Sequence, residues 1–459
     1  MYDLKAAQQY VNFFAASIFI LLMQSCSVTK QINKQAHKIL LQDSVINTGH
    51  IGISIFEPAT NTYWYNYNAE KYFVPASNTK LFTLYAGMKY LGDSLVGLRY
   101  MEKDGLTIIY PNADPTFLHP TFKNQPVYSF LHNTTQTLYF NDDYWKDERK
   151  GRGWAWDDYG EKYMVQRSAL PIYGNLVKIF FKNDTLTSEP YLGDDIPNYT
   201  ESWWETPFKE LPRLHKKNLP KYFSIKRTSE FFTGLGIYPS DSEFTTTYLP
   251  RVISDDETIS LLNDTIKPIL PVTWNLLTGR DFSKLKVIHS QPTDSLLTPM
   301  MHNSDNFFAE QTLLMASNEH LGYMNDETII DTLLKTDLKD VPQQPKWVDG
   351  SGLSRYNLFT PQSFVYILNK MKNEFGLERL KAILPTGGEG TLKNYYNSDS
   401  TFIYAKTGSL SNQITLSGFL ITKKNKLLIF SILTNNAIGD GWRVRRAYEN
   451  FLKGIREQY

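Results

Sequence analysis

Hydrophobic and polar positions alternate differently in different parts of the chain. Val11 to Met23 is a 13-residue, mainly apolar run that contains Asn12. It is shorter than the roughly 20 residues a membrane-spanning helix needs and suits a signal-peptide core. A polar stretch, Lys30 to Ile46, then reads as a helical lead. Ile51 to Phe56 reads as a strand, Pro58-Ala59-Thr60-Asn61 as a turn, and Thr62 to Tyr67 as the returning strand of a hairpin. Pro75-Ala76 opens a helix through Leu81, Phe82, Leu84, Tyr85 and Met88, stopped by Gly92. At the far end, Phe402 to Lys406, Gln413 to Thr422 and Lys426 to Thr434 are strand-like, and Trp442 to Arg456 reads as a closing helix. A hairpin at one end and a meander at the other predict one five-stranded antiparallel sheet flanked by helices, an α+β architecture.

From about 100 to 285 the texture changes to short strand-like runs, Pro, Asp and aromatics. With 459 residues the chain exceeds what one core organises. The expected division is a leader at 1–25, one domain built from 26–98 and 286–459, and one or two nested β-rich domains inserted at 99–285. The aromatic clusters Trp154 to Asp158 and Glu201 to Glu205 read as satellite cores under long loops. With 48 basic and 47 acidic side chains and no basic run, nothing points to nucleic acid. One cysteine excludes an intramolecular disulfide and a Cys-rich zinc site. That residue, Cys26, follows the apolar run in Met23-Gln24-Ser25-Cys26. The pattern resembles a bacterial lipoprotein signal, in which Cys26 becomes the lipidated first residue of a protein working outside the cytoplasm. The membrane is then met only through that anchor.

No Gly-x-Ser-x-Gly elbow, Walker loop, dinucleotide fingerprint or His-Glu-x-x-His occurs, so no cofactor or metal is expected. His302 reads as structural. Ser-x-x-Lys occurs three times, at Ser27/Lys30, Ser77/Lys80 and Ser283/Lys286. The first lies in a tether. In the last, an alternating strand-like run points Ser and Lys to opposite faces. Only Ser77 stands at a helix start, where residues three apart share a face and an amine can take a proton from a hydroxyl nucleophile. Ser304-Asp305-Asn306 occurs once. Lys406-Thr407-Gly408 also occurs once, in a strand expected at the sheet edge.

In this order the three motifs resemble the penicillin-recognising acyl-serine enzymes. The long separation of Ser77 from Ser304 narrows the likeness to the D-alanyl-D-alanine carboxypeptidases of peptidase family S13, the class C low-molecular-weight penicillin-binding proteins. Asn303 to Glu310, Asp349-Gly350-Ser351-Gly352-Leu353-Ser354-Arg355, Gly390-Thr391-Leu392, Ser417-Gly418 and Gly153 to Asp158 carry the same likeness. The resemblance implies a transpeptidase-like fold and hydrolysis of peptidoglycan stem peptides or cross-links, with β-lactams as covalent inhibitors. It assigns Ser77 as nucleophile, Lys80 as its base, and Ser304 and Asn306 as proton carrier and substrate-amide ligand. Lys406, Thr407, Gly408 and Ser409 would receive the terminal carboxylate. Arg355 and Asp142 (or Asp143) would hold the zwitterionic end of a diaminopimelate side chain, and Asp305 would be a structural partner in its turn. A non-catalytic wall-peptide scaffold and a serine β-lactamase are the alternatives. The intact set of motif residues weighs against the first, and the lack of a Glu-x-x-Leu-Asn stretch between 304 and 406 against the second.

Overall fold

The computed structural model describes residues 28–182, 185–190, 224–228, 231–235, 245–251, 254–266, 273–274, 284–397 and 400–459. Cys26, the leader and the Trp203-Trp204 cluster all lie outside these residues. The hairpin forms from β1 (His50–Glu57) and β2 (Thr62–Tyr67). A tight 3-10 turn, Ala76–Thr79, runs directly into helix α1 (Lys80–Tyr90). Next come β3 (Ser94–Lys103), β4 (Leu106–Pro111) and β5 (Thr137–Phe140). The later part of the chain supplies β6 (Lys286–Pro292), α2 (Thr293–His302), α3 (Asn306–Leu321) and α4 (Pro361–Phe375). The meander is β7 (Ile403–Leu410), β8 (Gln413–Ile421) and β9 (Leu427–Asn435), and α5 (Gly441–Gln458) closes the chain.

Both chain ends meet in one antiparallel sheet of order β7-β8-β9-β1-β2. The central seam pairs β1 with β9, His50 opposite Asn435 and Ser54 opposite Ser431. Strand β9 is buried along nearly its whole length because helices cover both faces. Its pleat sends Ile429 and Leu433 into a core with Leu81, Phe82, Leu313 and Phe364 of α1, α3 and α4. Phe430 and Ile432 enter a second core with Ile32, Leu40, Val444 and Phe451. Burying one such side chain contributes about 1.5–3 kcal/mol. The layering leaves β7, which carries Lys406-Thr407-Gly408, at the open edge.

The middle region is β-rich, but not uniformly antiparallel. Thr273–Trp274, β5, β4, β3 and β6 form a sheet in that order, in which β4–β5 and Thr273–Trp274 with β5 run parallel. Leu176–Lys182, Thr185–Glu189 and Thr245–Pro250 make a separate three-stranded antiparallel sheet. The expectation that Trp154 to Asp158 form a satellite core is corrected. Trp156 is 88% exposed, and Trp154 turns instead toward the loop before α4, where its indole N–H donates to Asp349.

Candidate active site

The tight turn sets the geometry around Ser77. In a 3-10 turn, side chains three apart eclipse, so Lys80 stands over Ser77 with Nζ 3.0 Å from Oγ. Pro75 precedes the turn and Ala76 enters it with a left-handed φ of 49°. The turn is fastened to the sheet by Thr415 Oγ1 donating to the Pro75 carbonyl at 2.8 Å and by Asn78 Nδ2 donating to Ser417 Oγ at 2.7 Å. A Cβ built on Gly408 would lie 2.8 Å from the Pro75 oxygen and 3.0 Å from the Ser77 nitrogen. Only glycine lets the edge strand approach Ser77 this closely. Gly352 does the same from the other side: at φ 82°, its Cβ would meet the Ala76 oxygen at 1.9 Å.

Lys80 Nζ also donates to Asn306 Oδ1 and to the Ser351 carbonyl, each at 2.7 Å. Lys406 Nζ donates to Ser304 Oγ and to the Thr407 carbonyl, each at 2.8 Å. The three motifs therefore share one pocket. Ser304 takes a left-handed φ of 57° just before α3. Asp305 caps that helix by accepting from the Phe308 N–H at 2.9 Å, the structural part expected of it. Asn306 Nδ2 donates to the Tyr163 carbonyl at 2.9 Å, so the middle region touches the site directly.

Both lysines are fully buried. Burial lowers Lys80 to about 8, against the opposing pull of the Asp349, Glu310 and Asp305 carboxylates. Lys406 is held well below the usual lysine range, first by burial and then by the neighbouring Lys80 charge. Beneath Lys80, the Ser351 N–H donates to Glu310 Oε1 at 2.8 Å. The other oxygen of Glu310 lies 3.6 Å from the buried guanidinium of Arg167, which comes from the middle region. Asp349 accepts from the Gly352 and Ser354 N–H groups, Asn357 Nδ2 and Trp154 Nε1 at 2.7–3.0 Å. Those bonds fix the loop that supplies the Ser351 carbonyl.

Of the remaining candidates, Thr407 Oγ1 lies 2.7 Å from Thr391 Oγ1, and exposed Ser409 accepts from Arg445 Nη2 at 2.6 Å. Arg355 is exposed and reaches the Ser411 carbonyl at 3.4 Å. Asp142 follows β5 and lines a small cavity with Trp145, Arg149, Ala169 and Thr258, none of them a motif residue. His302 is half-buried, and burial lowers its pKa. Among the described residues, no group of three or more His, Cys, Asp or Glu side chains is placed to hold a metal ion. Also among them, no helix is long and apolar enough to cross a membrane.

A family model, the D-Ala-D-Ala carboxypeptidase 3 (S13) family, matches residues 32–195 and 278–455, which is most of the chain. The chain belongs to the S13 family. Carboxypeptidase DacB of Mycolicibacterium smegmatis is 32% identical over 163 residues, covering 33% of this chain and 35% of that protein. The chain thus matches about a third of that relative's length. A D-alanyl-D-alanine carboxypeptidase of Actinomadura is 23% identical over 441 residues, 87% of this chain and 80% of that one. Among solved structures, penicillin binding protein 4 of Haemophilus influenzae superposes with a TM-score of 0.69 at 16% identity, covering 93% of this chain and 99% of the other. Its likeness supports the S13 fold and the α+β layering described above.

Four contributors escaped the sequence reading as site residues: Glu310, Asp349, Arg167 and Arg445. The first two sit inside stretches that resemble the S13 family, so the signal was present without a role attached. Arg167 and Arg445 carry no local signal, since their partners lie 143 and 36 positions away in the chain.

Proposed function

We propose that the protein is a serine-type D-Ala-D-Ala carboxypeptidase that works through an acyl-enzyme on Ser77, and that the same pocket cuts D,D-cross-links. The observation that supports this most is one buried amine, Lys80 Nζ, bonded at once to Ser77 Oγ and Asn306 Oδ1. Neutral Lys80 takes the proton as Ser77 Oγ attacks the penultimate carbonyl. The backbone N–H groups of Ser77 and Ser409 receive the oxyanion, where losing one donor typically costs about 3–4 kcal/mol. Collapse breaks the peptide bond, and Ser304 passes a proton to the leaving D-Ala amine. Water then attacks the acyl carbon, releases the shortened peptide and restores the Ser77 hydroxyl. Asn306 binds the substrate amide and orients Lys80. The terminal carboxylate lies at Thr407 and Ser409, and its arrival supplies the counter-charge that burial denies Lys406. Arg355 and Asp142 would hold the zwitterionic end of a diaminopimelate side chain in the stem peptide.

Incubation with labelled penicillin followed by mass mapping is expected to give a stable adduct on Ser77, together with D-Ala release from a D-Ala-D-Ala peptide. An adduct on another residue overturns the site assignment. An adduct without D-Ala release or cross-link cleavage favours a wall-peptide scaffold, and rapid penicillin turnover favours a β-lactamase.

This reading sets the protein outside the cytoplasm, acting on peptidoglycan, with lipid attached at Cys26. Cys26→Ala is then expected to move the protein from the membrane fraction to the soluble fraction. Unchanged membrane association would refute the anchor.

A further inference from the structure

The end of β7 is flanked by two guanidiniums. From α5, Arg445 Nη2 donates to Ser409 Oγ at 2.6 Å; from the loop after Asp349, Arg355 Nη1 approaches the Ser411 carbonyl at 3.4 Å. Among the described residues neither has a carboxylate within ion-pair distance, and Ser409 itself is exposed. A guanidinium offers five N–H donors in a planar fork suited to a carboxylate. Arg445 spends one of them on Ser409.

That bond has a direction. A serine hydroxyl has one proton to give and two lone pairs to receive. With Arg445 donating into a lone pair, the Ser409 proton is left for an incoming acceptor. We propose that Arg445 is a specificity-determining residue that recognises the carboxylate of the departing D-residue, both directly and by turning the Ser409 hydroxyl toward it. The assignment rests on the acyl-serine reading above and names a recognition element that the three motifs do not contain. It also meets an electrostatic need of the site. Burial biases Lys406 toward its neutral form, so a fixed charge at the mouth gives an anionic substrate something to meet before it displaces water from the pocket.

The position of Arg445 follows from the fold. Strand β8 turns Ile414 toward α5, where Gly441 packs against the Ile414 side chain. That contact brings the first turn of α5 beside the β7–β8 turn. Val444 is buried beneath, so the next residue, Arg445, emerges at the rim.

The test compares two donor peptides, one ending in D-Ala-D-Ala carboxylate and one in its carboxamide, with wild type, Arg445→Ala and Arg445→Lys. Arg445→Ala is expected to lower kcat/KM for the carboxylate by about 10- to 100-fold, the range for a hydrogen bond to a charged group, chiefly through KM. The carboxamide rate should be nearly unchanged, so discrimination falls by the same factor, and Arg445→Lys should restore part of it. Unchanged discrimination in Arg445→Ala, with D-Ala release intact in wild type, overturns the role of Arg445 alone. Equal losses on both peptides also overturn it, because they report a structural part. Failure of wild type to release D-Ala from either peptide would instead sink the acyl-serine reading, and the Arg445 role with it. Should Arg445→Ala fail to fold, the Arg445→Lys discrimination ratio decides, since a wild-type ratio there denies the planar fork any part.

Discussion

Lys80→Met is expected to slow acylation of Ser77 by labelled penicillin by about 10²- to 10⁴-fold, the usual worth of a positioned proton acceptor, while the wild-type rate climbs with pH and levels off above about 8. The sign follows from the base. Ser77 can lose its proton only to an unprotonated amine 3.0 Å away. Below about 8 Lys80 is mostly ammonium, so the rate falls there; above it the amine is free. Burial sets that midpoint below the usual lysine value, and Asp349, Glu310 and Asp305 limit the drop. The measurement is the acylation rate as a function of pH. A rate flat through this range, or a limb that persists in Lys80→Met, would remove Lys80 from the role. Burial also holds Lys406 well below the usual lysine range, so a pH limb that persists in Lys80→Met and vanishes in Lys406→Met would point to Lys406 as the proton acceptor.

Arg167→Ala is expected to cost about 3–5 kcal/mol of folding stability, the range for stranding buried charges by removing their partner. Arg167 is 1% exposed, pairs with Asp147 at 2.7 Å, with Glu310 at 3.6 Å and closely with Asp326, and donates to the Glu148 and Lys150 carbonyls. Burial already raises Asp147 to about 6 and Glu310 to about 8, with the guanidinium pulling both back down. In a folded state with raised carboxyl pKa values, protonation is favoured relative to the unfolded chain. These two groups therefore weaken the fold as pH rises through that window and do not at lower pH. Removing Arg167 raises both pKa values further. The deficit of the variant should be largest above about 8 and shrink as the acids protonate. Chemical denaturation of both proteins at low and high pH measures it. A deficit below about 1 kcal/mol, the usual range of an exposed pair, or one independent of pH, would contradict the account. At temperatures where the variant stays folded, penicillin acylation should also slow, because Glu310 holds the Ser351 N–H and Ser351 holds Lys80.

The terminal sheet was legible because its signals are local. Alternation in Ile51 to Phe56 and Thr62 to Tyr67 needs only a turn between them, and the meander after Phe402 is built the same way. Ser77 and Lys80 were legible for the same reason, being one turn apart. Helix α3 is different. Every residue from Phe307 to Asn318 is buried, so no polar face marks Glu310 as unusual, and its partner Arg167 is remote in sequence. The parallel pairing of β4 with β5 was equally invisible, since a short apolar strand does not announce the direction of its neighbour. The exposed Trp156 shows the opposite error. An aromatic pair in a loop-rich region suggests a small core, yet the loop is fastened by Trp154 to Asp349 and leaves Trp156 in solvent.

The pairing of β1 with β9 also constrains when the molecule can exist. His50 and Asn435 face each other across the central seam, so β1 has no partner on that side until almost the whole chain has been synthesised. At 5–20 residues per second, the wait is roughly 20 to 80 seconds. During that interval Ser77 and Lys80 are already made, while Lys406, the edge strand and the β8 hydroxyls that fasten the Ser77 turn are not. A nascent or C-terminally truncated chain thus carries Ser77 and Lys80 without the pocket, and on the proposed function any activity waits for the last strands.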